Sequence, residues 1–305
     1  MAETEFTNTP RLPAETGQLQ VRLMEERTRR PIGGAQIHIT YEGEPDGEEP
    51  DALTNVSGMT EIITLPAPNC DYSTSISEQQ PYAEYTIRVN ADGYEPTEVA
   101  GTEILPDETA IQEILMKRSV QTGEFDRIVI GPHTLFGNYP PKIAESEIKP
   151  MTESGEIVLS RVVIPEYVIV HDGPPSDSSA RNYWVRYRDY IKNVASSEIY
   201  ATWTDAAIRA NVLAIMSFVL NRVYTEWYRN RGYDFTITSS TAFDQKWIYG
   251  RNIYQNISNI VDEVFGNYLS RPNVKQPILT QYCDGRQVSC PGWMTQWGSQ
   301  SLGEQ

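Results

Sequence analysis

The spacing of apolar residues changes halfway along this 305-residue chain, and that change constrains what each half can fold into. Before residue 120, apolar and polar residues alternate, as at Leu19, Val21 and Leu23, which is the two-residue period of a half-buried strand. After residue 185 they recur every three or four residues, which is the period of a helix. The length allows two domains, and the two periods predict that these belong to different fold classes.

Five strands are predicted in the first half, separated by turns rich in Gly, Pro, Asn and Asp. They cover residues 19–23, 35–39, 60–65, 85–89 and 111–116. Short strands at this spacing predict a small antiparallel β-sandwich over 18–117. The polar, proline-containing residues 1–17 are predicted to be a disordered lead-in.

The sandwich segment resembles Cna protein B-type and carboxypeptidase-regulatory-like domains. The resemblance rests on Gly-Gln-Leu-Gln-Val at 17–21, Pro-Ile-Gly-Gly-Ala at 31–35, Thr-Asn-Val-Ser-Gly at 54–58 and Tyr-Thr-Ile-Arg-Val-Asn-Ala-Asp-Gly-Tyr at 85–94. It implies a regulatory or spacer domain.

Residues 118–164 are predicted to be a connector, because prolines and glycines interrupt any regular pattern. Short strands are expected near 128–130 and 157–159. The connector is either an ordered interdomain linker or a site of proteolytic processing.

The second half is predicted to be a mixed α/β (α+β) domain over 165–305. A buried strand at 165–171 is followed by a helix that ends near Glu198, and Thr204 is the expected N-cap of a long amphipathic helix that stops near Gly232. A strand at 235–237, a helix at 253–268 and a strand at 278–282 complete the pattern.

Charge is distributed unevenly between the halves. Residues 1–150 carry 26 acidic and 11 basic side chains, whereas residues 151–305 carry 15 acidic and 14 basic ones. A chain without a basic face is not expected to bind nucleic acid. The acidic start lacks the pattern of a Sec signal peptide, and the longest apolar stretch, near 212–220, is too short to predict a membrane span.

Glu198 is the residue whose position suggests chemistry. It follows Val194 by four residues, so it lies on the apolar side of its helix, and it is close to the helix's carboxyl end. Burial and the helix dipole both favour the neutral acid and are expected to raise its pKa. A protonated glutamate at neutral pH can act as a general acid on a glycosidic oxygen.

Two motifs resemble the SpoIID/LytB family over about 165–305. The first is Asp-Tyr-Ile-Lys-Asn-Val-Ala-Ser-Ser-Glu-Ile-Tyr-Ala-Thr-Trp at 189–203, followed by Ala-Ala-Ile-Arg-Ala-Asn-Val-Leu-Ala at 206–214. The second is Gly-Trp-Met-Thr-Gln-Trp-Gly at 292–298. Within that family the chain is most similar to spore cortex-lytic enzymes of the SleC type, through 190–200, 221–228 and 280–292.

This resemblance implies a lytic transglycosylase that cuts between N-acetylmuramic acid and N-acetylglucosamine in cortex peptidoglycan. One carboxyl group, that of Glu198, acts as acid and then as base, and no cofactor is expected. The resemblance also implies a precursor activated by a protease that cuts near 150–165. The expected location is the spore cortex and coat region or the cell wall.

The other site residues are hypotheses of two kinds. Residues in or near the family motifs are expected to bind substrate: Gln245, Tyr282, Asp284, Gln296 and Trp297. A hydrolase would need a second carboxylate, for which Asp205, Asp244 and Asp284 are the candidates. The non-enzymatic alternative is a peptidoglycan-binding or structural spore protein of the same fold.

Cys283 and Cys290 are close in sequence and are expected to be either a disulfide or two thiols. Family members with zinc use a cluster of Cys and His. No histidine is near this pair in sequence, so no metal is expected. The family pattern continues beyond Gly298, and this chain stops at Gln305, so a truncated domain is a further expectation.

Overall fold

The computed structural model describes residues 15–43, 50–119, 125–136, 148–149 and 157–305. The chain forms two compact units. The first consists of Met1–Pro132, Tyr200–Thr202 and Tyr249–Asn256, and the second of His133–Ile199, Trp203–Ile248 and Ile257–Gln305. The first unit therefore includes two short segments that the sequence pattern assigns to the carboxyl-terminal domain.

The first unit contains two β-sheets and a short helix, α1 (Asp71–Thr74). The first sheet has the spatial order β12 (Ile253–Tyr254), β7 (Thr109–Met116), β1 (Glu15–Glu25), β4 (Ile63–Ala67). The second has the order β3 (Asp51–Leu53), β2 (Gln36–Tyr41), β5 (Ala83–Asn90), β6 (Thr97–Ile104), β8 (Asp126–Val129).

Alternation along these strands creates the core of the sandwich. Leu19, Val21 and Leu23 on β1 are fully buried, as are Ile39 on β2 and Ile87 on β5. All five predicted strands are present, and so is the short strand expected near 128–130. The purely antiparallel arrangement is wrong, because β1 pairs with β7 and β6 pairs with β8 in parallel.

Two boundaries of the first unit differ from the predictions. The lead-in is too long, since β1 begins at Glu15, and residues 1–14 lie outside the described residues. The strand β6 is missing from the prediction, because its residues do not alternate: buried Val99 and Ala100 are adjacent, and Gly101 follows with a positive φ of 82°.

The strand β12 adds a late part of the chain to the sandwich. Ile253 and Tyr254 pair antiparallel with Ile111 and Ala110 on β7. The Tyr254 hydroxyl donates to the backbone oxygen of Glu103 at 3.2 Å. The predicted helix over 253–268 is therefore wrong at both ends, and the observed helix α4 covers Gln255–Val264.

The second unit combines helices with small sheets, which confirms the mixed α/β class. Its elements are the sheet β10 (Asn182–Arg186), β9 (Tyr167–His171), β11 (Ile237–Thr238); the parallel pair β13 (Tyr282–Cys283), β14 (Met294–Thr295); and the helices α2 (Tyr187–Glu198), α3 (Asp205–Tyr224), α5 (Gln296–Gly303) and most of α4.

Helix α3 forms the centre of this unit. Thr204 is its N-cap, as predicted, and its side chain accepts the N–H of Ala207 at 3.3 Å. The predicted amphipathic character is wrong, because the helix is buried on almost all sides. It has the length and hydropathy of a membrane span, and 72% of its most apolar window is buried inside the protein.

Other predicted boundaries in this half are also corrected. Helix α3 ends at Tyr224, and a separate 3₁₀ turn, Arg229–Arg231, precedes Gly232. The strand predicted at 278–282 is reduced to β13, and no strand forms at 157–159. The predicted cleavage region near 150–165 lies partly outside the described residues, since 150–156 are not among them.

Candidate active site

Helix α2 ends at Glu198, and the side chain of this residue is completely buried. The helix stops because Ile199 adopts an extended conformation, with φ −138° and ψ 153°. The buried face of α2 includes Tyr190 and Val194, which precede Glu198 by eight and four residues. The burial expected from the sequence spacing is therefore confirmed.

The Glu198 carboxyl group accepts hydrogen bonds at both of its oxygens. The Tyr282 hydroxyl donates to Oε2 at 2.5 Å, and the backbone N–H of Lys246 donates to Oε1 at 2.7 Å. The Gln296 side chain donates to the backbone oxygen of Glu198 at 3.0 Å. Hydrogen bonds to an ionised acceptor are strong, so both donors stabilise negative charge on this carboxyl group.

A buried polar network positions the Tyr282 hydroxyl. Gln245 Nε2 donates to it at 3.2 Å and to the Ile215 oxygen at 3.2 Å, while the Tyr190 hydroxyl donates to Gln245 Oε1 at 3.3 Å. Burial, and then the charge and hydrogen bond of Glu198, raise the pKa of Tyr282 well above its usual value. The hydroxyl therefore stays protonated and continues to donate to Glu198.

Three of the residues expected to bind substrate are linked to Glu198 by hydrogen bonds: Tyr282 and Gln296 directly, and Gln245 through Tyr282. Gln245 and Gln296 are fully buried, and Tyr282 and Asp284 are nearly so. The ring of Trp297 packs against that of Trp203, with 5.1 Å between centroids. The contacts of Gln245, Tyr282 and Gln296 thus orient Glu198, whereas Trp297 contributes to packing.

Asp244, a candidate second carboxylate, is held by a different set of contacts. Its side chain accepts from Arg222 Nε at 2.8 Å, from the Tyr228 hydroxyl at 2.5 Å and from the Thr238 hydroxyl at 2.7 Å. Asp205 is exposed in the first turn of α3. The contacts with Arg222, Tyr228 and Thr238 give Asp244 a structural role.

Asp284, the third candidate, stabilises a loop. Its carboxylate accepts the backbone N–H groups of Arg286, Gln287 and Val288 at 2.8–3.2 Å. A disulfide between Cys283 and Cys290 closes the same loop, with 6.3 Å between the Cα atoms. In the part of the chain that the structure describes, no three Cys, His, Asp or Glu residues are grouped as a metal site would require.

A short stretch of the connector, residues 133–136, contacts the residues next to Glu198; we call it the covering segment. The N–H of Thr134 donates to the Ser197 oxygen at 3.2 Å, and the N–H of Phe136 donates to Gln296 Oε1 at 2.9 Å. The Phe136 ring lies 5.1 Å from that of Tyr282. Tyr282 and Gln296, which both bind Glu198, thus also contact the covering segment.

Two grooves open on the second unit. The smaller, of about 110 Å³, is lined by residues that include Tyr167 and Trp227. The larger, of about 440 Å³, is lined in part by Gln281, Trp293 and Met294. Glu198 lines neither groove.

No protein-family model and no curated protein matches this chain. Solved structures match parts of it. Hydroxyquinol 1,2-dioxygenase from Pseudomonas putida has 13% identity and a TM-score of 0.25, over 34% of this chain and 57% of that one. A putative carbohydrate binding protein from Bacteroides uniformis has 12% identity and a TM-score of 0.23, over 32% and 40%.

The group B streptococcus pilus 2b backbone protein has 12% identity and a TM-score of 0.23, over 35% of this chain and 43% of that one. The chain thus spans about half the length of the structures it matches. The likeness is to β-sandwich folds at low identity and carries no argument about activity. The resemblance to the SpoIID/LytB family stays a prediction.

Three features of the site were not foreseen in the sequence. The donor at Lys246 is a backbone N–H, which any residue except proline would supply. The covering segment has no sequence signal, because its contacts are made largely by backbone groups. Trp293 belongs to the Gly-Trp-Met-Thr-Gln-Trp-Gly motif at 292–298. It is 41% exposed, and the proline and glycine before it are the sequence signal for a surface turn.

Proposed function

We propose that this chain cleaves the glycan strands of peptidoglycan as a lytic transglycosylase, with Glu198 as the single acid/base. The observation that supports this most directly is the complete burial of the Glu198 carboxyl group at the end of α2, where the Tyr282 hydroxyl and the Lys246 N–H donate to its two oxygens. Asp244 and Asp284, which could serve a hydrolase, are occupied by structural contacts. The motifs that resemble the SpoIID/LytB family contain both Glu198 and Gln296.

In the proposed reaction, Glu198 first donates its proton to the oxygen between muramic acid C1 and N-acetylglucosamine, and the bond from C1 to that oxygen breaks. The Tyr282 hydroxyl and the Lys246 N–H then stabilise the carboxylate that remains. The carboxylate accepts the proton of the muramic C6 hydroxyl as its oxygen bonds to C1. The product is a 1,6-anhydro sugar, and water is neither consumed nor released.

Complete burial of Glu198 supports a precursor state as part of this proposal. A glycan strand can reach the carboxyl group only if a covering group moves. The covering segment is the proposed obstacle, because Phe136 contacts Tyr282 and Gln296. It belongs to the connector in which the resemblance implies proteolytic processing, so a protease that acts on spores is the proposed activating partner.

The test is a digest of purified cortex peptidoglycan by the full chain, before and after limited proteolysis in the connector. Mass spectrometry of the soluble muropeptides should detect anhydro-muramic ends, mainly after proteolysis. Glu198→Gln is expected to lower the rate by about 100-fold or more. Glu263→Gln, which removes an exposed carboxylate on α4, is the matched control and should cleave like the wild type.

The second candidate is a non-enzymatic peptidoglycan-binding or structural spore protein. The same burial of Glu198 supports it, since the carboxyl group has no exposed surface here. Binding to cortex without any soluble product, before and after proteolysis, would favour this candidate. Reducing ends in place of anhydro ends would indicate a hydrolase, and unchanged cleavage by Glu198→Gln would exclude the proposed acid/base.

A further inference from the structure

The larger groove of the second unit presents an exposed aromatic ring. It has a volume of about 440 Å³, and its lining includes Thr280 and Gln281 from one chain segment and Trp293 and Met294 from another. Trp293 is 41% exposed. An exposed tryptophan in a groove that also contains polar side chains is typical of a binding surface.

The two chain segments that line this groove adjoin Tyr282, whose hydroxyl donates to Glu198. Strands β13 and β14 pair in parallel, with Tyr282 opposite Met294. Gln281 immediately precedes Tyr282 in the chain. The Tyr282 hydroxyl in turn donates to Glu198. The groove lining and the Glu198 site therefore share the β13–β14 pair, to which Tyr282 and Met294 both belong.

The chemistry of the groove fits an N-acetylated sugar better than it fits a cation or a basic peptide. Among the described residues that line it, none is acidic, although the chain as a whole carries a formal charge of −16. Arg271 contributes a positive charge, Gln281 an amide, and Leu269, Met294 and the Trp293 indole contribute apolar surface. Sugar rings present apolar C–H faces, acetamido groups form hydrogen bonds with amides, and muramic acid adds an anionic lactyl branch.

We infer that this groove is the binding subsite for the sugar units beside the bond to be cut, with the Trp293 indole as the surface on which one ring stacks. The inference rests on the proposed function, because it takes Glu198 as the centre of the reaction. It adds to the proposed function the place where the glycan strand binds, and it names Trp293 as a residue that determines the affinity for the glycan. Trp293 acts by binding, whereas Glu198 acts on the reacting atoms.

The experiment measures binding of a soluble hexamer of β-1,4-linked N-acetylglucosamine, and of purified peptidoglycan, to the full-length Glu198→Gln protein, in which turnover does not interfere. Adding Trp293→Ala should weaken binding of the hexamer about tenfold, as is common when a central tryptophan is truncated. Trp293→Phe retains an aromatic ring, so its affinity for the hexamer should lie between those of the parent and the Trp293→Ala variant. Trp184→Ala removes a more exposed indole, on β10, and is expected to bind like the parent.

A second measurement separates this inference from the proposed function. In the cleaving enzyme, Trp293→Ala should raise KM about tenfold and leave kcat within about twofold, the pattern of lost uniform binding. If the wild type cleaves and Trp293→Ala has an unchanged KM, the groove inference is overturned and the proposed function stands. Competition by free stem peptide, but not by the glycan hexamer, would also overturn the inference, because the groove would then bind the peptide.

Discussion

Two carboxyl groups of the second unit, those of Asp244 and Glu198, are both fully buried, yet their surroundings differ. Asp244 faces the guanidinium of Arg222 and two hydroxyl groups. The two oxygens of Glu198 accept from the Tyr282 hydroxyl and from the backbone N–H of Lys246. Removing one member of such a buried ion pair leaves the other charge without its partner, so Asp244 and Arg222 depend on each other in the fold. The proposed reaction requires the Glu198 carboxyl group, in contrast, to donate a proton and then to accept one.

The strongest test of this comparison is Asp244→Ala. It leaves the buried Arg222 guanidinium without its carboxylate, so we expect the free energy of unfolding to fall by about 3–5 kcal/mol. Urea denaturation followed by tryptophan fluorescence measures it. Glu198→Gln should lower the same quantity by only about 1 kcal/mol. Equal losses in the two variants would show that both groups are structural.

Tyr282→Phe examines the Glu198 side of the comparison. The variant keeps the ring and removes the hydroxyl that donates to Glu198 Oε2. We expect kcat on peptidoglycan to fall by about 10- to 100-fold, as for loss of one donor to a developing charge. Tyr187→Phe removes another buried hydroxyl, which donates to the Met216 oxygen at 3.3 Å, and should leave kcat unchanged. If both variants lose activity equally, Tyr282 has no special part in the reaction.

Removing the disulfide between Cys283 and Cys290 should have a smaller effect on the region around Tyr282. Cys283 and Cys290 close a short loop next to Tyr282, with a sequence separation of seven. Replacing both with serine should lower the free energy of unfolding by about 2 kcal/mol, through the added freedom of the unfolded chain. Cys70→Ser, at the free cysteine of the first unit, should have a smaller effect. Thermal unfolding with and without a reductant measures both.

The smallest effect on stability is expected in the sandwich, from the carboxyl group of Glu84, which is only partly buried. Burial, and then the charges of Glu103 and Glu42, raise the pKa of Glu84 to about 7. The folded protein therefore keeps a proton that the unfolded chain loses near pH 4.5. Stability is fully present below that pH and declines as the pH rises towards 7.

Because Glu84 is partly exposed, we expect this decline to be only about 1 kcal/mol. Glu84→Gln should remove it, and melting temperatures measured between about pH 5 and pH 8 would detect the change. Glu61→Gln, at an exposed position, is the control and should retain the decline. An identical slope in wild type and Glu84→Gln would exclude Glu84 as its source.

The sequence predicts those parts of the molecule that depend on local periodicity. Alternation of Leu19, Val21 and Leu23 identifies β1, and the four-residue step from Val194 to Glu198 identifies the buried face of α2. Pairing partners are not local, so the parallel β1–β7 pair was not foreseen. The covering segment and the Lys246 N–H contact residues that are distant in sequence, largely through backbone atoms. The spacing of residue types in the sequence therefore does not predict these contacts.

The strand β12 has a consequence for any cut in the connector. Residues 249–256 follow the connector in sequence and yet belong to the sandwich, where Ile253 and Tyr254 are hydrogen-bonded to β7 and Arg251 forms an ion pair with Glu103 at 2.6 Å. A nicked molecule would therefore elute from a native sizing column as one particle and separate into two bands only under denaturing conditions. A cut in the connector would thus leave β12 paired with β7, so the two fragments stay associated although the chain between the covering segment and the rest of the second unit is broken.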